Sequence, residues 1–589
     1  MPFWLIGISN YFFASSSFKL IDDQIQWIGD IDGLLMTSAI SVFILALWII
    51  GLFTGILDSC ITKIIERYNN MIRFIKTDPK IIFIHIGILF SMLIIASAIE
   101  VVLSGFLPVN SFTLLARTVR IIFYFSVGLS IYIIILFRAK PEKLFLFLSL
   151  LIGFIYITAH PFYWYGWDCG IHYAWSVEES FFKTVSVSRA DLILAHNPEF
   201  YPFFLYENSF GYNGLLMHGY NNFTEFTFPK NSDTFSWSLM WHENLYHRIA
   251  HIPTGIMLFI ARSIAMTPIM AVKFGTLANH LIYTLVIYFA MKRLNSGKYI
   301  MAVIAMFPTS FVLSTTYGYD QWLISFIMLG YAYFFYETQT PDKKISIKNM
   351  IIMSAALFIG IGPKAVYFPV MFILYFIKKN KFTGLKEYRI YITTVSCLII
   401  FAIAGFAVPY ITSGGGEGDW RGGTGVDAVA QTIYILQNPF IYIKTFLNFL
   451  TSYLNIFTNN FITHFAHLGY SSFYYFILVI LGFVIITDRN EYDIKTSSFK
   501  LKLLLLFITL ITISVFTLAM YISFTEVGEN IIAGVQGRYL TPLLFPLFYI
   551  IGNFKIKNKI NESIYSCIIY SSMSFVLLVG AWEKFILQT

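Results

Sequence analysis

The stretch 138–182, RAKPEKLFLFLSLLIGFIYITAHPFYWYGWDCGIHYAWSVEESFF, decides the fold. It opens on Arg138, Lys140 and Lys143, runs through an uncharged apolar segment at 144–159, and ends among Tyr and Trp residues. An apolar run of this kind reads as one membrane crossing. Basic residues mark the cytoplasmic end of such a crossing, so the aromatic segment emerges on the external face. Tyr and Trp suit that place, with the ring half buried and the polar tip wet. Asp168 and His172 therefore stand at the edge of the bilayer, one helical turn apart.

The rest of the chain fits a membrane setting. It has 589 residues, 57% of them hydrophobic and 12% charged, and a mean hydropathy of +0.70. A soluble domain this apolar could not cover its surface with polar atoms. The net charge of +8 could suggest nucleic acid, but the cations fall mainly in short linkers on alternate sides of the apolar runs. That is the positive-inside pattern, and no nucleic-acid partner is expected. Cys60, Cys169, Cys397 and Cys567 are scattered and imply no disulfide framework. The first residues lack a basic n-region, and their apolar part is too short to span, so no cleavable leader is expected.

The expectation is an all-α polytopic membrane protein with about 14 transmembrane helices. Apolar runs lie at 34–57, 81–103, 115–137, 144–159, 269–291, 300–315, 321–336, 349–362, 365–377, 391–410, 471–486, 501–523, 540–552 and 563–580. Residues 1–142 form an N-terminal extension and 143–589 the core. Two long external segments interrupt the core at 161–270 and 411–470, each with amphipathic stretches suited to interfacial helices. The second opens on the Gly-rich SGGGEGDWRGGTG, carrying Glu417, Asp419 and Arg421.

Charge near lipid is costly, so the cations and acids outside the cytoplasmic linkers are candidates for function. Arg538, in GENIIAGVQGRYLTPLLFP, sits at the outer mouth of the penultimate span. It reads equally as a bidentate phosphate clamp or as a snorkelling anchor. Lys364, in IGIGPKAVYFP, breaks a hydrophobic hairpin at the external surface, where it suits a lipid phosphate. Asp320, in STTYGYDQW, starts a span and reads first as a helix N-cap. Asp168 can cap a helix beginning near Gly170 or act as a base. Glu100, Arg117 and Arg120 read as a structural ion-pair group. His242, Glu243, His247 and His251, in WHENLYHRIAH, have the wrong spacing for a zincin, so an interfacial or acceptor-binding role is favoured over a metal site. No metal or cofactor is expected.

Four stretches carry a resemblance: HIPTGIMLFIARSIAMTPIMAVKFGTLANHLIYTLVIYFAMKR from His251, MFPTSFVLSTTYGYDQWLISFIMLG from Met306, GPKAVYFPVMFIL from Gly362, and GVQGRYLTPLLFPLF from Gly534. In order and spacing, 143–589 resembles a bacterial family of predicted multi-spanning membrane proteins, long labelled a domain of unknown function and grouped with the GT-C glycosyltransferases. The family's acidic motif with a following His fits WDCGIH at Asp168 and His172. Cys169 stands where the family usually has a second acid, and Thr276 where it usually has Arg.

The resemblance implies a GT-C-like core in a bacterial inner membrane, with its site facing the periplasm. It implies transfer from a polyprenyl-phosphate-linked sugar donor to a glycan acceptor such as O-antigen, with inversion. Asp168 would be the base. Arg538 and Lys364 would bind the donor phosphate, and Trp167, His172, Asp320, Gln536 and Tyr539 would contact substrate. The alternatives are a polymerase of diphosphate-linked glycan repeats and a flippase or transporter. A transporter usually places its charges near the bilayer midplane, often among inverted repeats.

Overall fold

The computed structural model describes residues 16–21, 24–29, 79–104, 114–159, 166–169, 172–173, 175–176, 179, 187–188, 234–235, 245–263, 268–412, 422–455, 461–488, 498–551 and 558–586. Glu417, Asp419, Arg421, His242, Glu243 and the expected first span at 34–57 lie outside them.

The body is helical. In chain order the main helices are α1 Pro79–Ser104, α2 Leu114–Phe137, α3 Pro141–Ala159, α4 Ile252–Ser263, α5 Pro268–Arg293, α6 Lys298–Ala305, α7 Pro308–Ser314 and α8 Asp320–Gln339. They continue with α9 Ile347–Ile361, which runs into a 3-10 segment at Gly362–Phe376, then α10 Leu385–Thr412, α11 Ala428–Gln437 and α12 Pro439–Tyr453. The last are α13 Tyr474–Thr487, α14 Phe499–Phe524, α15 Thr541–Ile551 and α16 Glu562–Ala581. Among the described residues, eight apolar segments are long enough to cross a membrane, and two shorter apolar ones accompany them. Two short antiparallel ribbons add to the all-helical expectation: Ser16–Ile21 with Gln24–Gly29, and Val187–Ser188 with Thr234–Phe235.

The helices run between two poles. At one pole the basic linkers meet. Lys381 Nζ lies 2.7 Å from Glu337 Oε2, and Arg293 lies 3.6 Å from Glu337. Lys298 faces Glu142 at 3.5 Å. The carboxylate of Asp488 accepts from Tyr299 N and Ile300 N at 2.6 and 3.0 Å, satisfying donors that the first turn of α6 leaves open. The opposite pole gathers 166–169, 172–173, 175–176, 246–254, 315–320, 362–367, 461–470 and 525–541.

Two features of this body bear on the site. The segment 347–376 is a hairpin, as the sequence suggests. Ile345 N donates to Lys381 O at 2.8 Å, so both arms end at the basic pole. The turn falls at Lys364, whose φ of −144° and ψ of 71° leave the helical region. The second feature corrects the sequence reading. Residues 300–315 form two helices, not one span, broken at Met306–Phe307 with Pro308 opening α7. Pro has no N–H and a fixed φ, so it fits the first turn of a new helix better than the middle of an old one. The ends freed by the break are bonded: Met306 N reaches Ala302 O and Phe307 N reaches Ile304 O.

Small residues let the helices approach. A Cβ on Gly153 of α3 would lie 2.0 Å from His280 Nε2 of α5. His280 in turn bonds Ser149 O and Ser314 Oγ, tying α3, α5 and α7 together. Buried polar links of this type hold helices together where lipid supplies no hydrophobic drive.

Candidate functional site

Chain segments hundreds of residues apart meet at the aromatic pole. Asp168 ends a tight turn after Gly166, where a Cβ would strike Cys169 Sγ and Thr316. Its φ is 56°, the left-handed region that an Asp tolerates better than most residues. Its backbone oxygen accepts from His172 N at 3.2 Å. Cys169 anchors the turn by donating Sγ–H to Tyr317 O at 3.1 Å, and burial pushes its thiol up to about 12. The Asp168 side chain reaches out of this turn to Arg538.

Arg538 lies in a 3-10 turn, Gly537–Leu540, ahead of α15. Its side chain is 4% exposed. Nη2 donates to Asp168 Oδ2 at 3.3 Å, across 370 residues of sequence. Nε faces Asp320 Oδ2 at 3.4 Å. Nη1 finds no hydrogen-bond acceptor among the described residues. The guanidinium also lies 4.5 Å from the Trp167 ring centre, within cation–π range. A snorkelling anchor would hold its head in water, and this one is enclosed by two carboxylates and an indole.

Lys364, at the hairpin tip, completes the group. Its ammonium sits 2.9 Å from the Tyr539 ring centre and 6.0 Å from that of Tyr319. Its Nζ has no hydrogen-bond partner among the described residues. Tyr367, three residues on, donates to Tyr539 O at 2.5 Å and pins the hairpin to the Arg538 turn. Tyr319 is half-buried between Lys364 and His172. Burial first, then Tyr539 and Asp320, hold its phenol well above the usual value.

Asp320 departs from the expected role. The residue capping α8 is Tyr319, and Asp320 stands inside the first turn with its carboxylate directed at Arg538. Gln536 precedes the turn. Its backbone oxygen accepts from Tyr453 OH at 3.0 Å, while its Oε1 is buried without a partner among the described residues. His172 belongs to the wall behind Tyr319. Its ring meets Tyr319 edge-on at 4.8 Å, and its Nδ1 lies 3.1 Å from His251 Nε2. Burial, then His172, keeps His251 well below its ordinary value of 6.5. His247 points away to Gly405 O.

Sequence reading missed one component, the loop 461–470. His464 meets Trp167 edge-on at 4.8 Å, and His467 senses both Asp168 and Arg538. Partial desolvation lowers the His467 imidazole, with the Asp168 carboxylate pulling the other way. The histidines of FITHFAHLGY were the available signal.

The fold is that of a multi-pass helical membrane protein with a buried charge cluster at one pole. The chain belongs to the family described as "Predicted membrane protein (DUF2142)", which matches residues 230–547. That match includes Asp320, Lys364, Gln536, Arg538 and Tyr539. It begins after Trp167, Asp168 and His172, so it is narrower than the resemblance over 143–589. Searches of curated proteins and of solved structures each found no match.

Proposed function

We propose that this protein is a membrane glycosyltransferase. It moves a sugar from a polyprenyl-phosphate-linked donor to a cell-surface glycan, such as O-antigen, on the external face of a bacterial inner membrane. The aromatic pole faces outward and the basic pole inward, following the positive-inside rule. We put the crossings at about 14, to which the eight long apolar segments and two shorter ones among the described residues contribute.

One observation carries the reading. Arg538 Nη1 and Lys364 Nζ are buried donors without hydrogen-bond acceptors, gathered with two carboxylates, and burial lowers the Lys364 ammonium to about 7, where a phosphate would restore its charge. Unsatisfied buried donors are costly, and a phosphate oxygen would satisfy both. The acceptor hydroxyl attacks the anomeric carbon as its bond to the phosphate oxygen breaks. The proton passes to Asp168, whose side chain is 35% exposed. Polyprenyl phosphate leaves as a monoester anion, held by Arg538 and Lys364. One displacement inverts the anomeric centre. The charges gather at a pole and not at mid-membrane, which favours an enzyme over a transporter.

The test uses purified protein in bilayers with a panel of radiolabelled undecaprenyl-phosphate sugars and extracted surface glycan. Label appearing in the glycan with one donor supports the reading. Folded protein that uses none of them, but joins diphosphate-linked oligosaccharides, would make it a polymerase.

A further inference from the structure

Backbone strain at this pole is paired. Among the described residues, Asp168 and Ala466 are the two non-glycine residues with positive φ, at 56° and 52°. Such conformations are costly and tend to persist where function needs them. The two turns face each other through the Trp167–His464 contact.

The second turn is rigidly built. Phe465 N bonds Gly469 O at 2.7 Å, and Ser471 N bonds Thr463 O at 2.8 Å. Its base is tied to α7: His464 N bonds Thr309 Oγ1 at 2.8 Å, and Thr309 N bonds Ile462 O. Gly469, with φ of 88°, closes the turn. The side chains it presents form a ledge. The rings of His464 and Tyr470 lie 4.1 Å apart, and Tyr470 is 54% exposed. His464 Nδ1 is buried without a hydrogen-bond partner among the described residues. Trp167, at the inner end of the ledge, is the residue directly before Asp168.

An aromatic cluster with an exposed Tyr470 at one end and a carboxylate beside the other suits a pyranose. The C–H face of the sugar packs on the rings, and its hydroxyls reach polar tips. His464 and His467 place two imidazoles on this loop, and His467 lies within reach of the Asp168 charge. Neither imidazole pairs with Arg538 or Lys364, the groups that serve the donor phosphate.

We propose that Trp167, His464 and Tyr470 form the acceptor subsite, stacking a neutral sugar ring whose hydroxyl is presented to Asp168. This inference rests on the transferase reading. It makes the protein two-sided: anion recognition by the hairpin tip and the Arg538 turn, sugar recognition by the 461–470 loop.

The test separates binding from transfer. Saturation-transfer NMR on protein in nanodiscs, with cellotetraose, chitotetraose and rhamnotetraose as probes, is run on wild type, Tyr470→Ala, Tyr470→Phe and Asp168→Asn. At least one probe should bind wild type. Tyr470→Ala should weaken it roughly five-fold, as expected for loss of one ring contact. Tyr470→Phe and Asp168→Asn should retain it. Tyr470 is exposed, and the Phe variant controls for folding. Equal binding by wild type and Tyr470→Ala would overturn the ledge, as would the absence of binding by any probe. Probe binding that depends on Tyr470, in protein that transfers from no donor, would keep the subsite and reject the transferase. Transfer whose acceptor KM is unchanged in Tyr470→Ala would keep the transferase and reject the subsite.

Discussion

Two buried arginines make opposite use of their carboxylates. Arg120 on α2 meets Glu100 on α1 through three hydrogen bonds, at 3.0, 2.9 and 2.7 Å. Both side chains are closed off, at 2% and 4% exposed. Arg538 is as deeply buried but stretches between two carboxylates, at 3.3 and 3.4 Å, and leaves Nη1 without an acceptor. The first pair is complete and joins two helices. The second is incomplete, lies beside another unsatisfied cation, and draws in a strained, part-exposed Asp. Burial alone therefore does not identify a working charge. What sets Arg538 apart is the combination of an unsatisfied Nη1 with a part-exposed carboxylate partner.

The comparison can be broken most easily at the complete pair. Arg120→Ala strands Glu100 in a buried setting and should cost about 3–5 kcal/mol of stability. Thermal unfolding in bilayers measures it, and a shift within error of zero would remove the pair's structural role. Replacing both partners, Glu100→Leu with Arg120→Met, should recover most of that loss, because an apolar pair of similar volume removes the stranded charge. The same exchange at the other site, Asp168→Asn with Arg538→Met, should not recover transfer at any stability.

Arg538→Lys keeps the charge but loses the fork that spans Asp168 and Asp320. One lost charge-assisted hydrogen bond predicts a donor KM raised roughly ten-fold or more, with acceptor KM unchanged. An equal rise in both would mean a general disturbance of the pole.

The smallest effect concerns pH. His251 is held neutral by burial and by His172, so its folded pKa lies below the unfolded value. As pH falls through that unfolded value, near 6.5, the unfolded chain takes up a proton that the folded one refuses, and stability drops. His251→Gln should flatten stability against pH below 6.5 and leave it unchanged above. An unaltered acid slope would place the titrating group elsewhere.

Much of this was legible before folding. Among the described residues the basic linkers do meet at one pole, the 347–376 segment does fold back at Lys364, and Glu100 does pair with Arg120. Each follows from short-range pattern: charge position, Gly-Pro before a Lys, acids and bases on neighbouring spans. What failed to show was convergence. Asp320 looks like a cap because the local sequence contains no Arg538. The break at Pro308 was hidden by apolar residues on both sides of it. The 461–470 loop has no motif, and its importance comes from Trp167 lying against it.

The most direct measurement is single-turnover transfer from the productive donor by wild type and Asp168→Asn, with unfolding temperature recorded on the same samples. The account predicts a fall of about 10²–10⁴-fold in the variant, the usual contribution of a general base, at nearly unchanged stability. Transfer at the wild-type rate would mean that Asp168 only holds Arg538 in place. A loss of transfer matched by a loss of folding would make the Asp168–Arg538 contact a structural pair like Glu100–Arg120.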